Sequence, residues 1–302
     1  MLEVLTRAGC FAAIILLGFL LKKFGLFKDT DFSVLSTIVL KITLPAAIIT
    51  NFANKELDVS LLCLTLLGAI CGAVYIGLAF LLNIRSNKER RAFEILNLPG
   101  YNIGCFALPF VQSFLGPVGV IATCLFDIGN GFICLGTAFS IAVMVKDGGR
   151  FSLKRVFRTL MKSLPFILYV AMPVLCLLHV PIPSIVTSFA GIVGNANAFM
   201  AMFMIGVGFK LTADKSQIGK ILKILSVRFT VAILLAITFY FALPFPREIR
   251  KTLMLLVFSP IGAAVPAFTG EMKGDVGLSS AVNSLSILCS IVFMVTLLIL
   301  IP

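Results

Sequence analysis

The sequence predicts an all-α polytopic membrane protein: ten transmembrane helices as two inverted five-helix repeats, with broken crossover helices four and nine. Three observations predict it. Of 302 residues, 60% are hydrophobic and 13% charged, and the mean hydropathy is +1.10; a soluble domain runs about 45–50% apolar and about 25% charged. Uncharged runs recur at bilayer length, about 20 residues each. Gly/Pro interruptions recur at matching points of the two halves. This composition excludes a soluble enzyme, a disordered chain and a disulfide-rich secreted domain, and it leaves no room for a soluble catalytic domain beside the spans.

The elements follow from the gaps between charges. Residues 8–21 form span one, between Arg7 and the pair Lys22, Lys23. Residues 32–54 form span two, interrupted only by Lys41, and residues 59–84 form span three. Between Glu94 and Lys146 the only charge is Asp127. That stretch is too long for one helix, and Gly116-Pro117 divides it into spans four and five. Between Lys162 and Lys210 there is no Asp, Glu, Lys or Arg, and Pro181-Ile182-Pro183 divides that stretch into spans six and seven. Residues 229–246, 252–270 and 276–302 give spans eight, nine and ten. Arg228 falls near the cytoplasmic end of span eight and reads as structural.

Orientation follows from the basic residues. Of the 25 Lys and Arg, 18 lie in the loops after spans one, three, five, seven and nine, and five lie on the opposite side. The 18-residue side is expected to be cytoplasmic, with both termini outside. The first segment does not read as a cleaved signal peptide, because its positive cluster follows the apolar run. Residues 146–162 read as a cytoplasmic connector between a first repeat, 1–145, and a second, 163–302. Ala107-Leu108-Pro109-Phe110 in span four corresponds to Ala264-Val265-Pro266-Ala267 in span nine. An odd number of helices per repeat turns the second copy upside down.

Proline inside a helix removes a backbone donor and clashes with the preceding turn. In lipid, the freed groups need protein partners or a water-filled cavity. Span four carries Pro99, Gly100, Asn102, Gly104 and Pro109; span nine carries Pro260, Gly262 and Pro266. Matched broken helices in inverted halves point to a transport site. Their half-helix N-termini suit a carboxylate. The expected substrate-binding residues are Asn102, Gly104, Pro109, Ser259, Gly262, Pro266 and Lys41. Asn102 offers amide donors and an acceptor, with Ser259 opposite it by the repeat alignment; Lys41 could attract an anion or pair with Asp127. An intramembrane carboxylate is costly and marks function, so Asp127, with Asn130 on the same helix face, is expected to couple a proton or cation. Asn283 and Ser286 share a face of span ten and join that set. His179, Asn195 and Asn197 are weaker candidates, for proton relay or for packing.

Asn102-Ile103-Gly104-Cys105-Phe106-Ala107-Leu108-Pro109 resembles the N-x-G-x-x-x-x-P segment of the auxin efflux carrier family, within the bile/arsenite/riboflavin transporter-like superfamily. Gly116, Asp127 and Asn130 follow as in members, and Leu44-Pro45-Ala46 is similar to a segment of their second helix. Tyr101 stands where many members have Gly. The resemblance covers essentially the whole chain and is to the short microbial type. It implies a scaffold and a transport domain, elevator-type movement of small organic anions such as malate, malonate or auxin-like carboxylates, and a homodimer in a bacterial inner membrane. A sodium-coupled organic-anion symporter of the bile-acid type is the alternative.

No cofactor is expected beyond a coupling H+ or Na+. The eight cysteines form no C-x-x-C pair, so no metal site is expected. The net charge of +12 reads as loop retention rather than nucleic-acid binding. An intramembrane enzyme lacks its constellation, with a single His and no H-E-x-x-H. Gly68-x-x-x-Gly72 permits close helix packing.

Overall fold

A computed structural model describes residues 2–148, 150–210 and 215–301; no strand occurs among them. The helices are α1 (Leu2–Lys23), α2 (Asp31–Phe52), α3 (Val59–Leu82), α4 (Lys88–Asn97), α5 (Ile103–Phe114), α6 (Pro117–Asp147), α7 (Leu153–Leu160), α8 (Leu164–Leu177), α9 (Ser184–Gly208), α10 (Ile218–Ala242), α11 (Arg247–Val257), α12 (Val265–Glu271) and α13 (Val276–Leu300). Among the described residues, seven are long and apolar enough to cross a bilayer, or eight if α7 and α8, bent by 83°, count as one span. The pairs α4/α5 and α11/α12 are each interrupted by unwound chain, over residues 98–102 and 258–264.

Local chemistry sets the boundaries. Asn87, Ser152, Ser163 and Asp275 accept backbone N–H bonds at helix starts, satisfying donors a helix start leaves unpaired. Pro45 and Pro109 each follow a π-helical turn, Val39–Thr43 and Ile103–Ala107. A wide turn there makes room for a ring that would crowd an α-helical carbonyl and that donates no hydrogen bond. At the end of α12, the Lys146 ammonium donates to the Met272 and Lys273 carbonyls at 2.7 and 3.1 Å, where cations suit the helix dipole.

Two bundles result, each drawing helices from both halves of the chain. In one, α9 packs against α1 and α2, and α2 against α8; in the other, α3 packs on α6 and α4, α4 on α6, and α10 on α11. Lipid offers no hydrophobic drive between helices, so close approach and polar contacts must hold them together. Gly68 and Gly129 let the backbones of α3 and α6 meet: a Cβ on either would collide with backbone of the other helix. Gly72 packs on Ile133 of α6. The Gly68-x-x-x-Gly72 motif is thus occupied inside the chain.

Several boundaries differ from expectation. Span one begins at Leu2 rather than 8, and the helices of spans four and nine begin at Lys88 and Arg247, so Arg7, Arg90 and Arg250 lie inside helices. Span eight begins at Ile218 rather than 229, so Arg228 lies inside α10 and not at its end. The Arg228 charge marks no boundary because backbone carbonyls receive it. The connector also holds the short helix α7, whose Val156 and Leu160 are buried with Phe166.

Candidate functional site

The two unwound segments touch. The Asn102 N–H donates to the Pro260 carbonyl at 2.8 Å. Pro99 and Pro260 lie just past the ends of α4 and α11, where a ring that donates no hydrogen bond and crowds the preceding turn keeps either helix from running on, and Gly100 takes the left-handed conformation at φ 81° that glycine tolerates. Such backbone survives at membrane depth only if its polar groups find partners.

Side chains from three flanking helices supply those partners. Arg228 of α10, wholly buried, donates to Leu98 O at 2.6 Å, Gly100 O at 2.9 Å and Ser259 O at 2.8 Å. It thereby ties both unwound segments together. Asn130 of α6 accepts from the Tyr101 N–H and donates to its carbonyl, both at 2.8 Å, and also donates to the Asp127 carboxylate at 2.7 Å. On the second segment, Asn283 of α13 donates to the Ile261 and Gly262 carbonyls at 3.2 and 3.1 Å. The Ser286 hydroxyl accepts from the Ile261 N–H at 3.1 Å. Asn130 and Asn283 thus play corresponding parts, one on each segment.

Two cavities flank the contact, with Asn102, Met204 and Ala263 lining both. The first, about 150 Å³, lies between the bundles. Leu44, Phe166 and Tyr169 wall one side; Asn102, Gly104, Asp127, Asn130 and Gly262 wall the other. The start of α5 leaves its first N–H groups without helical acceptors, and the Asp127 carboxylate faces that of Gly104. The Tyr169 hydroxyl faces the same carboxylate without closing a hydrogen bond to it. The second cavity, about 230 Å³, contains Pro266, Asn283 and Ser284 and reaches Lys22, Asp29 and Lys210. Asp29 pairs with Lys22 at 2.8 Å and Lys210 at 3.3 Å. Its carboxyl is held below the usual range, first by Lys22 and then by Lys210. A larger cavity of about 400 Å³, near Arg90, Lys146 and Lys273, contains none of the expected site residues.

Asn102, Gly104, Asp127, Asn130, Gly262, Pro266 and Asn283 therefore line the two cavities, and Ser286 supports their wall. Pro109 is buried at the start of the α-helical part of α5, and lines neither. Ser259 is wholly buried with its hydroxyl unpartnered and also lines neither. Lys41 is exposed on α2, whereas Asp127 is hydrogen-bonded to Asn130. His179 is exposed in the turn after α8; Asn197 is buried, accepting from the Thr43 hydroxyl at 3.0 Å, and Asn195 is exposed. Sequence reasoning missed Tyr169 and the role of Arg228. Tyr169 gave no signal in an apolar run. Arg228 did, as a lone charge beside span eight.

The helices and the buried polar crossing define a membrane transporter. Residues 11–149 match the family model described as Membrane transport protein, and residues 198–302 match the Sodium Bile acid symporter family. Both models fall in one group of transporters, that of the auxin efflux carriers and the bile-acid symporters, and together they fit a permease of that kind. Each match spans one of the two unwound segments. No curated protein matches the chain.

Proposed function

We propose that the chain is a secondary transporter of small organic anions, and that the substrate carboxylate docks beside Asn102 where the unwound segments meet. One observation carries this reading: the two segments touch through Asn102 and Pro260, beside a cavity lying between two bundles. A site between bundles changes its exposure when one bundle slides past the other, which is the elevator motion. In this reading α4/α5 and α11/α12 are spans four and nine of ten, the repeats are 1–145 and 163–302, and both termini are extracytoplasmic. The protein works in a bacterial inner membrane, as a homodimer.

Asp127 already faces the Gly104 N–H. Two carboxylates at one helix start repel, so a substrate carboxylate there is accompanied by a proton or cation on Asp127. Labelled uptake and charge movement in proteoliposomes test this with malate, malonate, oxalate, citrate and indole-acetate, with and without pH and sodium gradients. Saturable uptake of one anion is expected; a flat panel from folded protein overturns the substrate class.

A second reading, the sodium-coupled symporter, is favoured by the match over residues 198–302. The carbonyls of Ile261 and Gly262 beside Asn283 and Ser286 are cation-type ligands. Uptake that requires sodium supports it; uptake indifferent to sodium removes it.

A further inference from the structure

Arg228 is the one wholly buried basic side chain among the described residues, and it forms no ion pair with any of them. The acceptors of its guanidinium are neutral: the Leu98, Gly100 and Ser259 carbonyls. Its Nε has no partner. The rings of Tyr75 and Tyr101 lie 5.6 and 5.1 Å from its central carbon, and the Tyr75 hydroxyl donates to the Arg228 carbonyl at 2.9 Å. Arginine does not give up its proton in a protein, and a buried charge without a counter-ion is expensive. A merely structural clamp on three carbonyls needs donors, which neutral side chains supply, as Asn130 and Asn283 do on the same two segments. The full charge is therefore what needs explaining.

Arg228 lines neither cavity. It sits behind Tyr101, whose residue walls the first cavity and whose ring faces the guanidinium. The acid nearest along the hydrogen-bonded chain is Asp127, reached through the Tyr101 backbone and Asn130. With Asp127 ionised the crossing carries no net charge; once Asp127 takes a proton or cation, the Arg228 charge stands alone. In low dielectric, that charge acts over several ångströms.

We infer that Arg228 is a specificity-determining positioning residue: it fixes the two unwound segments to each other and supplies the uncompensated positive charge that makes the neighbouring site choose carboxylates over uncharged molecules of the same shape. This inference rests on the anion-site reading above and names the residue behind its charge selectivity.

The test compares malonate with malonamide, and malate with malamide, by calorimetric titration of the detergent-purified full chain, with thermal unfolding as a folding check. In the wild type the acid should bind at least about tenfold more tightly than its amide. Arg228→Gln should bring the ratio to within about twofold of unity, while Arg228→Lys keeps the charge and most of the preference. Should Arg228→Gln fail to fold, Ser259→Asp carries the test. The Ser259 hydroxyl is buried and unpartnered in the residue whose carbonyl takes the guanidinium, so this change adds a counter-charge without removing the clamp. It too should collapse the ratio. A folded Arg228→Gln or Ser259→Asp with the wild-type ratio overturns the role of Arg228 and leaves the anion site standing. Failure of both diacids to bind the wild type overturns the anion site, and this inference with it.

Discussion

At the scale of single residues, the crossing is a problem of unsatisfied backbone. Asn130 answers three demands at once: the N–H and C=O of Tyr101 and one oxygen of Asp127. Each buried polar group left without a partner costs about 1–3 kcal/mol. Asn130→Leu, which orphans all three, should therefore lower the unfolding temperature and abolish uptake, whereas Asn283→Leu leaves two carbonyls short of a donor and should do less harm. Thermal unfolding of the two variants in one detergent checks the order. Asp127→Asn is different in kind, since the amide keeps the shape but exchanges no proton. If Asp127 couples protons, this variant should fold and yet lose the dependence of uptake on pH, measured across a pH series with the sodium gradient held at zero. An unchanged profile would make Asp127 a purely structural acceptor for Asn130.

At the scale of elements, small residues decide which helices can meet. A Cβ at Gly129 would collide with the Thr65 carbonyl and the Ala69 nitrogen of α3, and rigid backbone cannot step aside. Gly129→Val should cost about 3 kcal/mol and remove folded protein, while Gly77→Ala, where nothing lies within 4 Å, should keep the yield and not lower the unfolding temperature, alanine being the better helix former. Asp29 ties the end of α1 to the chain after α9. Its depressed pKa means its ion pairs stabilise above the unfolded value, near 3.8, and are lost as pH falls further through the folded value. The pairs are exposed, so Asp29→Asn should shift stability at pH 7 by no more than about 1 kcal/mol. These elements were unequally legible in the sequence. Spans bounded by charges, such as α3 and the far end of α1, could be read from hydropathy because water and lipid sort those residues. The breaks at Pro99 and Pro260 could be read because glycine follows within two residues of each, whereas Pro45, Pro109 and Pro173 sit inside continuous helices. The start of α10 could not: Lys220, Lys223 and Arg228 look like a loop until their partners are known. Glu94 receives Lys223 at 2.9 Å, and three carbonyls receive Arg228, so the helix runs on through its charges. Tyr169 was invisible for a related reason: its place beside Asp127 is set by α8 packing across the bundles, which no local pattern encodes.

At the scale of the whole molecule, the position of the first cavity makes the elevator reading testable. Leu44, Phe166, Tyr169 and Met204 belong to the bundle of α1, α2, α8 and α9; Asn102, Asp127, Asn130 and Gly262 lie on the opposite side. A substrate held by the second group must move with it, and the first group must stay behind. Packed helices shear as bodies rather than deform continuously. Distances within one bundle should therefore stay fixed while distances between bundles change. Gly9 on α1, Gly191 on α9 and Gly77 on α3 each have nothing within 4 Å of where a Cβ would stand, so spin labels fit there without disturbing contacts. In reconstituted protein, the Gly77–Gly191 distance distribution should be bimodal and shift in weight when the transported anion is added, because the two labels ride on different bundles. The Gly9–Gly191 distribution should stay single and unmoved, because both labels ride on one. If both pairs shift together, the bundles deform rather than slide. If neither shifts while uptake proceeds, access to Asn102 is controlled by side chains at the cavity mouths, with Phe166 and Met204 the residues to vary next.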